Sequence, residues 1–260
     1  MTPAISIVVP LYNEEENVTI LQQEIAAALA GRDYELILVD DGSTDSTRNR
    51  IRRDERTRVI EFARNTGQSA ALYAGMKSAR GAYVGLLDGD LQNDPVDLVR
   101  LLDELGRSGV DLGCGYRIHR QDSWSKRVTA RIANAVRRWF VGDGVRDTGC
   151  TLKIMRRECV AALIPFKGMH RFIPALVKGA GFTLVELPVN HRARRFGVSK
   201  YGLANRAFRA TADMFGICWF LARRFEHQKS ETTNLTRMNT KIGSRGTVDR
   251  VTLKNSCLFV

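Results

Sequence analysis

Short apolar runs alternate with longer stretches in which apolar residues recur every three or four positions. Ile5-Ser-Ile-Val-Val9, Glu35-Leu-Ile-Leu-Val39, Val59–Ala63 and Tyr83–Leu87 predict four strands. Runs this short and this apolar suit a parallel sheet covered on both faces. Pro10 is expected to end the first strand. Glu14–Ala30 has helical spacing at Val18, Leu21, Ile25 and Leu29, and stops at Gly31. Asp45–Arg53 predicts a helix capped by Ser43, Thr44 or Asp45, and Ser69–Ala79 predicts a small-residue helix. Pro95 opens an amphipathic helix carried by Leu98, Leu101, Leu102 and Leu105. Strands separated by helices imply an α/β fold, a mostly parallel sheet flanked by helices.

Beyond Cys114 the pattern changes. Residues 124–140 predict a basic amphipathic helix with an apolar stripe at Val128, Ile132, Val136, Trp139 and Phe140. Thr151–Met155 and Phe182–Pro188 predict strands, and 203–224 predicts a second amphipathic helix. From Glu226 apolar residues thin out, so residues 1–225 are expected to form one domain and 226–260 a disordered polar tail.

Composition alters this picture in one respect. With 44% hydrophobic and 26% charged residues the chain is an ordinary globular one, yet its net charge is +12. Such a surplus favours anionic substrates, anionic membrane surfaces or polyanions. The five cysteines are scattered without CxxC spacing, which indicates neither a zinc site nor a disulfide framework. No signal peptide is expected at the amino terminus. The apolar run Met214–Ala222 is far shorter than the roughly 20 residues needed to span a bilayer.

In parallel sheets ligands bind beyond the carboxyl ends of the strands. That rule selects Pro10–Glu16, Asp40–Asp45, Arg64–Gln68 and Asp88–Asp94, all rich in polar, charged or small residues. In Asp88-Gly-Asp90-Leu-Gln92, two carboxylates and an amide offer hard oxygen ligands suited to Mg2+ or Mn2+. A cation there would neutralise charge on a leaving diphosphate. Asp40-Asp41-Gly42-Ser43 reads equally as an Asx turn or as an acceptor for a nucleobase imide N–H. Tyr12 offers a ring to stack on a base, although its segment also reads as a strand end and helix cap. Asn65-Thr-Gly67-Gln68 is accounted for as a loop-to-helix cap, and Asp147-Thr-Gly-Cys150 as a turn. Arg117 is either a solvated surface group or a bidentate phosphate clamp. The basic loop Arg192–Tyr201 suits closure over a diphosphate. His119, His170 and His191 lack metal-ligand spacing.

Together, SIVVPLYNEEENV (6–18), LILVDDGSTDST (36–47), RNTGQSAALYAGMKSARGAYVGLLDGDLQNDP (64–95), GYR (115–117), DTGC (147–150) and RRFGVSKYG (194–202) resemble glycosyltransferase family 2. Within that family they resemble the polyprenyl-phosphate branch, which includes dolichol-phosphate mannose synthases. The resemblance implies a GT-A fold and inverting transfer of mannose, glucose or a related hexose. The donor would be GDP-mannose or a UDP-sugar and the acceptor a dolichyl or undecaprenyl phosphate.

It further implies that Pro10, Tyr12, Glu14, Asp40 and Asp41 hold the nucleoside, with Asp88, Gly89 and Asp90 on the nucleotide sugar. Asp90 and Gln92 would bind the metal, and Arg117, Arg194 and Lys200 would engage phosphates. Asp88, Asp90, Arg117, Arg194 and Lys200 form the implied catalytic set. Gly89 stands where many relatives carry alanine, a change expected to leave the carboxylates undisturbed. Many relatives also carry carboxyl-terminal transmembrane helices, and none is expected from this sequence. The implied location is therefore cytoplasmic, peripheral on the inner leaflet, with the basic helices on an anionic membrane surface.

Rival functions fit less of the chain. Transfer to a cell-surface glycan hydroxyl would need a general base, and no spare carboxylate stands out. A dinucleotide-dependent oxidoreductase would carry GxGxxG after the first strand, where PLYNEE stands. A nucleic-acid module would use the charge but leave DGDLQ idle, so no nucleic acid is expected as partner. A catalytically inactive binding protein would have no need of the intact motifs.

Overall fold

Strand β1 (Ile5–Leu11) lies third from one edge of a seven-stranded sheet and is buried along nearly its whole length. The structure is a computed structural model and describes residues 3–118, 141–193 and 203–224. The helix expected over 124–140, Arg194, Lys200 and the tail from 226 lie outside the described residues.

The remaining elements, in chain order, are α1 (Val18–Ala28), β2 (Tyr34–Asp40), α2 (Thr47–Arg50), β3 (Thr57–Glu61), α3 (Gln68–Ser78), β4 (Tyr83–Leu86) and α4 (Pro95–Ser108). They continue with β5 (Leu112–Arg117), β6 (Lys153–Arg156), two 3-10 turns, α5 (Ile173–Gly179), β7 (Leu184–Val189) and α6 (Leu203–Arg223). The sheet order is β3-β2-β1-β4-β6-β5-β7. Only β6 runs against its neighbours, pairing antiparallel with both β4 and β5. The other ladders are parallel, so β1, β2 and β4 end together at one edge.

Side chains alternate across the sheet, giving two cores. On one face Val8, Val39, Leu86, Cys114 and Met155 pack with α3, α5 and α6, through Leu72, Met76, Leu176 and Ile217. On the other face Ile7, Val9, Leu38, Leu87 and Ile154 pack with α1 and α4, through Leu21, Ile25, Leu98 and Leu101. Gly75 lets α3 approach β1 closely, since an added Cβ there would sit 2.3 Å from Val8 Cγ1.

Three boundaries differ from expectation. β1 continues through Pro10 to Leu11. Val8 bonds toward β4 and Leu11 toward β2, through Leu87 N–H to Val8 O and Asp41 N–H to Leu11 O. Pro10 therefore faces the β4 side, where pairing has already ended at Leu86, and its missing N–H breaks no ladder bond. The helix expected from Glu14 starts at Val18, because the 43–47 loop captures the backbone donors of residues 13–15: Asn13 N–H bonds Ser43 Oγ (3.0 Å), Glu14 N–H bonds Thr47 Oγ1 (2.8 Å) and Glu15 N–H bonds Asp45 Oδ2 (3.3 Å). The helix expected over 45–53 is one turn, ended by an extended Ile51. Arg52 is then held by reciprocal bonds with the Gln22 amide.

Candidate active site

All four strand-end loops selected from the sequence meet at the carboxyl edge of β1, β2 and β4. Residues 13–15 lie on the 43–47 loop through the bonds just described. Asp41 ties that loop to the next, its two oxygens accepting from Thr66 N–H (2.7 Å) and Gly67 N–H (2.8 Å). Gly42, at φ +73°, makes the approach possible. A Cβ there would fall 2.4 Å from Arg64 C and 2.6 Å from Asn65 N, so only glycine fits.

The third loop reaches the fourth through Gln68. Its Nε2 donates to Asp88 Oδ1 at 2.7 Å. Asp88 also takes a hydrogen bond from Thr151, which follows the 147–150 turn. Loss of hydration, then the neighbouring Asp90 charge, push the Asp88 carboxyl up to about 6; the Thr151 bond and the charges of Lys153 and Arg117 pull the other way.

Leu91, between Asp90 and Gln92, adopts φ +61° with its side chain buried in the core below. A positive φ at leucine is costly and is held by its surroundings. The turn is closed by Gln92 N–H to Asp90 Oδ1 (3.2 Å). Asn13, in the opposing loop, is the other non-glycine residue with positive φ among the described residues, at 52°.

Several expected residues are otherwise engaged. Asp40 is fully buried, accepting from Arg48 Nε and Ser43 N–H. Arg117 spends its fork on Asp147, with Nε to Oδ2 at 2.7 Å and Nη2 to Oδ1 at 2.9 Å. Gly149 permits this, its added Cβ lying 2.9 Å from the Arg117 guanidinium. Arg192 braces two elements, bonding Glu24 (2.6 Å) and Asp94 (2.7 Å). Glu14 accepts from Asn17 Nδ2 at 2.6 Å, and Pro10 and Tyr12 are half-buried beside it.

Gly89 is also less idle than expected. Its added Cβ would meet Leu11 Cδ2 at 2.8 Å and Pro10 O at 3.2 Å, so an alanine must displace the Leu11 side chain.

Two residues escaped the sequence reading. Thr151 faces Asp88 from β6's approach, and Lys153 is buried in mid-sheet, 2% exposed. Neither belongs to a spacing pattern, and the antiparallel insertion of β6 beside β4 is what brings them in. The thiols are inert by contrast: burial pushes Cys114 up to about 12 and Cys150 up to about 11, so neither supplies a thiolate ligand.

The donor set fits a magnesium or manganese ion. Asp90 and Gln92 offer hard oxygens at one turn, and among the described residues no group of three or more His, Cys, Asp or Glu could hold a metal unaided. A diphosphate and water would complete such a shell.

Comparison with known proteins decides the family. The Glycosyl transferase family 2 model matches residues 6–164. The chain belongs to glycosyltransferase family 2. It is 40% identical over 227 residues to a dodecaprenyl-phosphate galacturonate synthase of Rhizobium johnstonii, covering 84% of this chain and 67% of that protein. It is 36% identical over 206 residues to an undecaprenyl-phosphate 4-deoxy-4-formamido-L-arabinose transferase of Edwardsiella ictaluri, covering 76% and 63%. The chain thus spans about two thirds of the length of these curated relatives.

A similar fold is found among solved structures. Glucosyl-3-phosphoglycerate synthase of Mycobacterium tuberculosis, crystallised with Mn2+, UDP and phosphoglyceric acid, superposes with a TM-score of 0.63 at 20% identity, covering 86% of this chain and 80% of that one. The same synthase has been crystallised with Mg2+ and UDP, at a TM-score of 0.61 and 21% identity over 83% and 79%. These likenesses carry the GT-A fold, a mixed sheet flanked by helices.

Proposed function

We propose that the protein transfers a sugar from a nucleotide diphosphate to a polyprenyl phosphate. The observation that carries this reading is the convergence of four strand-end loops on Asp88 and Asp90, in a chain whose family 2 relatives bear names of polyprenyl-phosphate sugar transferases. The donor reading moves toward a UDP-sugar, since the structurally similar glucosyl-3-phosphoglycerate synthase was crystallised with UDP. GDP-mannose is the competing donor, and the assay below includes it.

The nucleoside is read into the groove floored by Asp40 and Asp41 and walled by Pro10, Tyr12 and Glu14. The diphosphate then reaches Asp90 and Gln92, with Asp88 and Gly89 toward the sugar. A divalent cation, when bound at Asp90 and Gln92, offsets the charge developing on the departing diphosphate. The acceptor phosphate is already anionic at neutral pH, so its oxygen attacks the anomeric carbon directly. One C–O bond forms as the bond to the diphosphate oxygen breaks, with inversion, and no proton needs removal from the nucleophile. This chain's task is alignment and charge stabilisation. Arg194 and Lys200 are read as the cations that close on the phosphates, and Arg117 as a third, in exchange with Asp147.

Membrane attachment is read into helix α6. Its inner side buries Met214 and Ile217, whereas Phe215 (54% exposed) and Trp219 (61%) face out, with the Arg223 guanidinium 4.9 Å over the Trp219 ring. An aromatic face edged by cations suits an anionic interface. Among the described residues no helix is long and apolar enough to cross a membrane.

The test is release of nucleoside diphosphate from UDP-glucose, UDP-galacturonate, UDP-GlcNAc and GDP-mannose, with and without a short-chain polyprenyl phosphate and Mn2+. Release from one donor that needs both lipid and metal supports the proposal. Release driven by a glycan hydroxyl acceptor instead, or from no donor, overturns it.

A further inference from the structure

Lys153 is the largest of the fully buried side chains, and neither the family match nor the proposed chemistry gives it a task. It sits on β6 with Leu86 of β4 on one side and Cys114 of β5 on the other, in the interior of the sheet. Its ammonium donates to a neutral acceptor, the Cys150 carbonyl, three residues upstream. Burying an ammonium without a carboxylate partner is costly, so a chain that keeps one there has a use for the charge or for the bond.

The topology shows where that charge is aimed. β6 is antiparallel to β4, so moving from Lys153 back to Cys150 moves toward the end of β4 where Asp88 stands. Alternation places Lys153 on the same sheet face as Met155 and Leu86, the face that α3 covers and from which Gln68 meets Asp88. The charge of Lys153 is felt at Asp88, Cys114 and Cys150 alike.

Resting on the metal-and-diphosphate reading of this site, we propose that Lys153 is a buried positioning cation that sets the charge balance beneath it. It holds down the affinity of the Asp88–Asp90 turn for a divalent ion alone and favours the diphosphate. Asp88 and Asp90 together attract a cation. The fixed charge under them offsets part of that attraction, in a medium too dry to screen it. The same charge draws the diphosphate anion. The metal is thereby taken up chiefly with the nucleotide, in keeping with a protein ligand set too small to hold it unaided.

The test uses the full chain with Lys153→Met, Lys153→Gln and Lys153→Arg. Gln keeps a donor for the Cys150 carbonyl while removing the charge, so it carries the test if the Met variant fails to fold. Mn2+ binding without nucleotide is read from the electron paramagnetic resonance signal of the free ion. UDP and GDP binding is read by calorimetry in EDTA. The expected result is about tenfold tighter Mn2+ and severalfold weaker metal-free nucleotide in the uncharged variants, with Arg close to the parent. These opposite signs mark a charge effect. Weakening of both ligands, or unchanged Mn2+ affinity in a folded Gln variant, overturns the proposal and leaves Lys153 as a structural tie. Neither readout needs turnover, so a failure of the transfer reaction itself is seen separately, in the parent protein's assay.

Discussion

Asp88 and Asp90 occupy one turn, yet their surroundings separate their parts. Asp88 is anchored from the side by Gln68 and from the segment before β6 by Thr151, while Asp90 closes its own turn through the Gln92 N–H. Gln68→Ala removes a hydrogen bond to a buried carboxylate, an interaction of about 1.5–3 kcal/mol when one partner is charged. We expect kcat to fall about tenfold in steady-state assays, and the melting temperature to drop by roughly several degrees. At Gly42, alanine adds both a clash with the backbone of residues 64–65 and a disfavoured positive φ. Gly42→Ala should cost at least about 2 kcal/mol of stability, measured by urea unfolding. A variant as stable as the parent would show that the two loops can part freely.

At this scale the sequence was informative wherever a residue's task was local. DGDLQ was read as a hard-oxygen turn, and Ser43, Thr44 or Asp45 as a helix cap, whereas Ser43 and Asp45 accept the backbone N–H groups of Asn13 and Glu15. Thr151 and Lys153 were illegible because their neighbours are set by the pairing of β6 with β4, a long-range event that no spacing records. Arg117 was read as a clamp on phosphate, but whether its fork was free could only be seen once Asp147 was placed beside it.

Strand elements came through more clearly than helix ends. The apolar runs of β1, β2 and β4 matched the sheet to within a residue or two because burial on both faces leaves few polar positions in them, whereas edge strand β3 is only half-buried and is shifted by two residues. The helix at Glu14 started late because its first donors are claimed by side chains some thirty residues away. α5 and the 3-10 turns before it left no clear period.

The first three strands also share a polar knot. Glu35 accepts from Ser6 Oγ (2.6 Å), Arg80 N–H (2.7 Å) and Arg58 Nη1 (3.1 Å). Burial acts to raise its carboxyl, but the Ser6, Arg80 and Arg58 bonds outweigh it and hold the group below 4.5. A carboxyl lowered by folding contributes stability that is present above its unfolded value and is lost as pH falls through the folded one. Glu35→Gln should therefore destabilise the protein at pH 7, and the difference from the parent should shrink below about pH 4.5. Chemical unfolding at pH 7 and pH 4 checks the sign. A difference that grows in acid would refute it.

Over the whole molecule the proposed membrane attachment joins the charge surplus to the outward aromatics of α6. The +12 net charge favours approach to an anionic leaflet, and Phe215 and Trp219 then have a place to be buried. Phe215→Ser with Trp219→Ser should weaken sedimentation with phosphatidylglycerol vesicles by about tenfold or more. Transfer to a short, water-soluble polyprenyl phosphate should be little changed. Equal loss in both assays would assign these residues to the acceptor site instead.

The central claim is that the loops gathered at the ends of β1, β2 and β4 move a sugar onto a lipid phosphate, with Asp90 at the metal. Its most direct measurement follows radiolabelled sugar from the donor into organic-extractable polyprenyl phosphate, comparing the parent chain with Asp90→Ala at saturating Mn2+. The account predicts Mn2+-dependent labelling of the lipid by the parent, and at least about a hundredfold slower labelling by a folded Asp90→Ala. Equal rates for the two proteins, or label that never enters the lipid phase, would contradict it.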